Sequence, residues 1–212
     1  PSFVYSSSGL RQEKPPPIDW KALASRPFMT ACIAYLAWAV TNGALIYYLP
    51  LYGKHRGVTN VGIFFTVYAV VNFSVRAYIP YLMKRIGRKP ILLLAFCAVG
   101  AGTFDISRFH QIQNLIIPGI LYGLGTSAIY TPLATQVVDY MPESQKMAAL
   151  GIFMSHVDIG QGLAGVALGA MLQAVTYSEM FALISLVTLL AMIAVLLCPS
   201  APSIDDDTGS KV

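Results

Sequence analysis

Charge is what this sequence has least of. Only 11% of its 212 residues are Asp, Glu, Lys or Arg, against about 25% in an ordinary soluble domain. So few charges cannot dress a water-facing surface. Nor can they make a continuous face that tracks phosphates, which sets nucleic acid aside as a partner. Histidine is equally sparse. His55, His110 and His156 lie in separate regions, and none has a second histidine four residues on, so the helical zinc-hydrolase pattern is missing. Neither G-x-S-x-G nor G-x4-G-K-[ST] occurs. That removes the nucleophile-elbow hydrolases and the phosphate-cradling ATPases. No pair of deep carboxylates supports an intramembrane aspartyl protease, and a serine-only intramembrane chemistry is the one enzymatic reading left. The chain is expected not to be an enzyme. Its three cysteines, Cys32, Cys97 and Cys198, show no C-x-x-C spacing and read as packed apolar side chains, with no metal or cofactor implied.

What is abundant is apolar sequence: 56% of residues are hydrophobic and the mean hydropathy is +0.62. About 20 apolar residues cross the hydrocarbon core of a bilayer as a helix. Six runs qualify, at about Phe28–Leu49, Val61–Leu82, Pro90–Ile106, Leu115–Val138, Met147–Val175 and Met180–Cys198. Pro50 reads as the end of the first. No alternation of apolar and polar residues supports a β-barrel. The expected fold class is an all-α membrane protein with six transmembrane helices over residues 27–198. Residues 1–26 read as a polar cytoplasmic lead-in stiffened by Pro15, Pro16 and Pro17, with a short amphipathic helix possible over Ile18–Ala24. Residues 199–212, with Asp205, Asp206 and Asp207, read as a disordered cytoplasmic tail. The chain opens on Pro1 without a signal peptide, and the expectation is a fragment whose lead-in continues from something upstream.

Cations set orientation through the positive-inside rule. Six spans put both ends on one face, together with the second and fourth connections. That face carries Arg11, Lys14, Lys21, Arg26, Lys84, Arg85, Arg88, Lys89, Lys146 and Lys211. The opposite face carries Lys54, Arg56 and Arg108, while Arg76 lies within a span. The asymmetry places both ends of the segment in the cytoplasm, in a multi-pass protein of the plasma or inner cell membrane.

The turn "PYLMKRIGRKPIL", Pro80–Leu92, carries a more specific signal. Leu82, Arg85, Gly87, Arg88, Lys89 and Leu92, with Arg76 ahead of them, resemble the loop signature G-x-L-x-D-R-x-G-R-K-x-x-L of the major facilitator superfamily. In that family it follows the second helix of each six-helix half, as here. Pro80 replaces the first glycine and Lys84 the aspartate that helps latch the halves, so this loop resembles the degenerate copy of a C-terminal half. Pro142–Gly151, "PESQKMAALG", is similar to the family's P-E-x-x-R-G element, with Lys146 for the arginine. Leu121–Asp139 resembles the Gly- and Pro-rich fourth helix. Gly151, Gly160, Gly162, Gly165 and Gly169 partly resemble an antiporter signature, although Ala164, Gly165 and Leu168 stand where Gly, Pro and Gly would be.

The resemblance implies half of a twelve-helix major facilitator fold. It also implies that the first and fourth helices line a central cavity. Tyr35, Trp38 and Asn42 share one side of the first span by helical spacing, as Tyr122, Thr126, Leu133 and Gln136 do on the fourth. These would contact substrate, and amphipathic aromatics suit moderately hydrophobic molecules. Asp158 is the only acid near the middle of a span. A deep carboxylate is a functional hypothesis by default: it carries a proton or a cation, or it is satisfied by a hydroxyl or by an arginine of another half. His156 reads as a hydrogen-bonded packing residue, and Arg76, one turn after Asn72, as snorkelling toward the cytoplasmic face. Asp158, Gly162, Gly165 and Gly169 fall on one stripe, read as a close helix–helix contact.

The function these features imply is secondary active transport of small organic molecules. The specific expectation is proton-coupled export of drug-like compounds by alternating access, with a separate N-terminal six-helix half, protons and the lipid bilayer as partners. Uptake of a sugar or other metabolite is the alternative, and a non-transporting structural or regulatory membrane half-protein is a third reading from a different class.

Overall fold

A computed structural model describes residues 20–58 and 60–197, and every regular element among them is helical. The lead-in up to residue 19, the tail from residue 199, and Cys198 lie outside the described residues. One turn of helix, α1 (Trp20–Leu23), falls within the stretch expected to be amphipathic, with Trp20 exposed and Leu23 buried.

The first long rod, α2 (Arg26–His55), runs straight through Pro50, which is therefore not its end. Proline has no N–H for the Ile46 carbonyl, but membrane helices carry prolines through because neighbouring groups re-satisfy the backbone. α2 stops instead at Arg56 and Gly57, where Gly57 takes φ 75°.

The second run is corrected from one continuous span to two helices, α3 (Gly62–Arg76) and α4 (Ile79–Ile86), bent by 57°. Pro80 accounts for the break: it has no proton for the Arg76 carbonyl four residues back, and its ring collides with that group. The third rod, α5 (Arg88–Ile106), starts immediately after Gly87. The fourth run is broken too, into a 3-10 turn (Ile112–Leu115), α6 (Ile116–Ser127) and α7 (Tyr130–Asp139). Here Pro132 leaves the Ala128 carbonyl without its helical donor. Around the break the helix narrows to i−3 bonds, Ala128 N–H to Gly125 O at 3.0 Å and Ile129 N–H to Thr126 O at 3.4 Å.

The fifth run comprises α8 (Lys146–Leu163), a π turn (Ala164–Leu168) and α9 (Gly169–Met171), ending four residues before Val175. The sixth, α10 (Tyr177–Leu197), opens on a capping box. Thr176 Oγ1 accepts the Glu179 N–H at 3.4 Å, and the Glu179 carboxylate accepts the Thr176 N–H at 2.8 Å.

Arg26–His55, Arg88–Ile106 and Ile112–Asp139 are each long and apolar enough to cross a membrane, and α3 and α4 reach that length and apolarity only when taken together. α8 falls short of that apolarity because Ser155, His156, Asp158 and Gln161 interrupt it, while α10 is apolar over Tyr177–Ile193.

In the bundle α2 packs between α8 and α10, α5 between α6 and α10, and α3 on α6, while α7 touches α2 and α8. Lipid supplies no hydrophobic drive between helices, so close backbone approach matters most. Small residues provide it. A Cβ at Gly123 would lie 2.9 Å from the Val71 Cβ, and one at Gly160 only 2.5 Å from the Ala39 Cβ. Gly43 meets Ala164 in the same α2–α8 seam. Large apolar side chains such as Phe73, Leu94 and Val166 remain on the outside, the surface that hydrocarbon rather than water suits.

Candidate substrate site and conformational loop

The α2 face that carries Tyr35, Trp38 and Asn42 turns into the bundle, toward α6, α7 and α8. Trp38 Nε1 donates to Thr126 Oγ1 of α6 at 3.3 Å, and Asn42 Nδ2 donates to the Tyr122 hydroxyl at 3.3 Å. Gln161 of α8 completes the chain by donating to Asn42 Oδ1 at 3.3 Å. Three helices thus meet through polar groups in an apolar interior, where an unmet polar atom costs several kcal/mol, on the order of its full desolvation. Gln136 lies elsewhere, near the start of α2, where its Nε2 donates to the Pro27 carbonyl at 2.8 Å. Leu133 is fully buried.

Next to this network lies an aromatic cluster. Tyr35 stacks on Phe153 of α8 at 4.3 Å and on Trp38 at 5.2 Å, and it meets Tyr130 of α7 at 6.2 Å. Offset stacking of this kind adds about 0.5–1.5 kcal/mol per pair beyond area burial. Tyr130 and Trp38 stay partly exposed. Arg76, at the C-terminal end of α3, places its guanidinium 5.6 Å from the Tyr130 ring centroid. Arg76 is itself exposed.

In the loop, Gly87 has φ 85° and ψ 167°, a region open essentially to glycine alone. That conformation reverses the chain between α4 and α5. Arg88 pairs with Asp139 at the end of α7, tying the loop to the fourth run. Asp139 thereby stands in this chain as a local partner for the loop that has lost its own aspartate to Lys84. Arg85 is exposed, Lys89 is half-exposed, and neither makes an ion pair among the described residues.

Asp158 lies exposed on α8, with no hydrogen bond or ion pair among the described residues. His156 is held locally, its Nδ1 2.8 Å from the Ile152 carbonyl. The glycine stripe divides. Gly162 faces open space, Gly165 lies 3.8 Å from the Tyr47 ring by its Cβ position, and Gly169 approaches the Tyr48 hydroxyl. Tyr48 donates to the Gly165 carbonyl at 2.6 Å. Within the described residues, the tight helix contact therefore runs through Gly160, Ala164 and Gly43, on the other side of α8 from Gly162.

Sequence reasoning missed Gln161, Tyr130, Phe153 and Asp139. Gln161 was the one with a local signal, a polar residue in an apolar span three positions after Asp158. Among the described residues, no three His, Cys, Asp or Glu side chains gather to hold a metal ion.

The family model described as Major Facilitator Superfamily matches residues 4–107 and 58–211. The chain is similar to the staphylopine export protein of Staphylococcus aureus, 23% identical over 175 residues that cover 80% of this chain and 44% of that protein. It is also similar to an uncharacterised MFS-type transporter of Salmonella typhimurium, 22% identical over 143 residues, or 68% of this chain and 37% of that protein. The chain spans less than half the length of these curated relatives. With a family match reaching across nearly all of it, and with apolar helices throughout the described part, this multi-pass membrane protein belongs to the Major Facilitator Superfamily of transporters.

Proposed function

We propose that the chain is the C-terminal six-helix half of a secondary transporter that exports drug-like small molecules in exchange for protons. Residues 27–198 form its bundle, residues 1–26 the cytoplasmic lead-in and residues 199–212 the tail. The observation that carries the reading is the convergence of Trp38, Asn42, Tyr122, Thr126 and Gln161 from three helices in an apolar interior. Such a site, apolar with a few convergent polar groups, is what a small organic ligand needs. The breaks at Ala77–Tyr78 and Ala128–Ile129 suit a bundle that rocks against a second half, because discontinuous helices surround transporter sites. The similarity to a protein named for export supports the outward direction.

In this reading the exposed carboxylate of Asp158 faces the absent half and binds the coupled proton, while Arg85, Gly87, Arg88 and Lys89 control exchange between states. Both ends are cytoplasmic on the charge asymmetry. Impermeant maleimide reacting from outside at a cysteine beside Arg88, but not beside Lys54, reverses that topology.

The test of coupling uses the intact protein in proteoliposomes with an imposed pH gradient and a neutral fluorescent drug-like compound. Asp158→Asn keeps size and hydrogen bonding but cannot ionise. It is expected to abolish uphill transport while sparing downhill exchange. Full uphill transport by Asp158→Asn overturns the assignment.

A further inference from the structure

Arg76 is an exposed cation at the C-terminal end of α3 with no counter-ion among the described residues. Five acids fall among the described residues. Asp139 is engaged by Arg88, Glu143 by Lys146, and Glu179 by the capping box at Thr176. Asp105 lies at the far end of α5. Asp158 sits five residues after Phe153, about 140° round α8 from the ring that faces the cluster. The guanidinium has five donors in a fixed fork, and it makes no hydrogen bond or ion pair among the described residues. Its guanidinium lies over the Tyr130 ring, with Tyr35 and Tyr68 close enough to feel its charge.

The surroundings specify what it could receive. Tyr130 and Trp38 keep part of their ring surface accessible beside the charge, and the buried rings of Tyr35 and Phe153 back them. The Tyr35 and Tyr130 hydroxyls have no hydrogen-bond partner among the described residues. A planar apolar body would lie along those rings, and an anionic group at its end would meet the guanidinium in bidentate geometry. Position supports a ligand over a purely structural role. Arg76 ends α3 at the 57° break, so the group that holds the charge belongs to a segment built to bend.

We propose that Arg76 and the accessible Tyr130 and Trp38 rings bind the anionic end of the transported molecule, making the substrate an aromatic organic anion such as a carboxylate. This rests on the reading of the neighbouring polar network as the substrate site. Bidentate pairing of a carboxylate with Arg76 replaces water around both groups and selects against neutral analogues of the same shape. The Trp38–Thr126 and Asn42–Tyr122 pairs lie next to this cluster, where the ligand's other end would reach.

The test is equilibrium binding of radiolabelled naphthalene-1-carboxylate and of its neutral amide to the intact protein in nanodiscs of zwitterionic lipid. Wild type is expected to bind the acid at least 10-fold tighter than the amide. Arg76→Gln should erase that preference and leave amide binding within about 2-fold, with Arg76→Lys restoring part of it. Tyr130→Leu should weaken acid and amide alike. Equal weakening of both ligands by Arg76→Gln, or no preference in wild type, overturns the proposal. So does loss of acid binding on adding phosphatidylglycerol, which would make a lipid headgroup the occupant. Proton-driven transport of the neutral compound without acid preference sinks this inference alone, whereas acid preference without proton-driven transport sinks only the coupling.

Discussion

Arg56 and Arg76 each place a guanidinium over a tyrosine ring, 5.3 Å from the Tyr52 centroid and 5.6 Å from that of Tyr130, yet the two sites are built differently. Arg56 also donates to the Tyr52 hydroxyl at 3.0 Å, and Tyr52 passes its own proton to the Ser107 carbonyl at 2.9 Å. Ser178 donates to the same carbonyl at 2.6 Å, and Phe109, Tyr177 and Phe181 enclose the Tyr52 ring. Every group there has a partner, and the ring is almost wholly buried. At Arg76 the tyrosine is half-exposed, its hydroxyl is unengaged among the described residues and the guanidinium itself is exposed. One site is sealed by its own side chains, and the other leaves polar groups open.

The largest expected effect breaks the sealed site. Tyr52→Ala should cost about 3–5 kcal/mol, because it empties a packed aromatic site and removes the hydroxyl that Arg56 donates to. Tyr130→Ala should cost less than half as much and show itself in ligand binding instead. Unfolding of the two variants in the same detergent measures the difference; similar losses would erase the contrast between the sites.

The two sides of α8 give the next contrast. Gly160→Val pushes a side chain into Ala39 and should destabilise by about 1–3 kcal/mol, the usual range for overpacking. Gly162→Val meets open space in the described part, so its effect on this bundle should stay within roughly 0.5 kcal/mol. A slowed transport rate with unchanged stability in Gly162→Val would mark that side of α8 as the surface that meets the other half.

In the loop, Gly87→Val forces a β-branched residue into φ 85°, for roughly 1–3 kcal/mol of strain. The account expects a strongly reduced transport rate with equilibrium binding changed only a few-fold. A well-inserted Gly87→Val protein that transports normally would remove the loop from the mechanism. The smallest effect belongs to the Arg88–Asp139 pair. A double-mutant cycle with alanine should give a coupling below about 1 kcal/mol, since both side chains reach solvent. A larger value would mean that the pair is a latch and not a positioning contact.

The fold was legible where the physics is one-dimensional. Apolar runs of bilayer length located the rods, and prolines at known offsets were visible, but their consequences differ by context. Pro50 lies in α2 without ending it, whereas Pro80 and Pro132 break their spans, and nothing in the local sequence separates these cases. Helical spacing put Trp38 and Asn42 on one side of α2, and Tyr122 and Thr126 on one side of α6, but the hydrogen bonds that join the two sides were not legible in it. It could not find Tyr130 or Phe153, because which aromatics share a cluster depends on how α7 and α8 are rotated against α2. The glycines failed for the same reason: a stripe shows which residues share a side of a helix, not which side the neighbour takes. Gln136 shares the fourth run with Thr126, but ten residues separate them, about 15 Å along a helix, and Gln136 reaches the Pro27 carbonyl at the start of α2 instead.

The most direct test of the central claim, that Thr126 and its neighbours line a cavity opened alternately to the two sides, is accessibility of Thr126→Cys in the intact protein with its native cysteines, Cys32, Cys97 and Cys198 among them, replaced by serine. Impermeant maleimide is applied to right-side-out and to inside-out vesicles, with and without a pH gradient. The account predicts labelling from both sides, with the gradient shifting the balance from one side to the other. Labelling from one side only under every condition, or none from either, would contradict it.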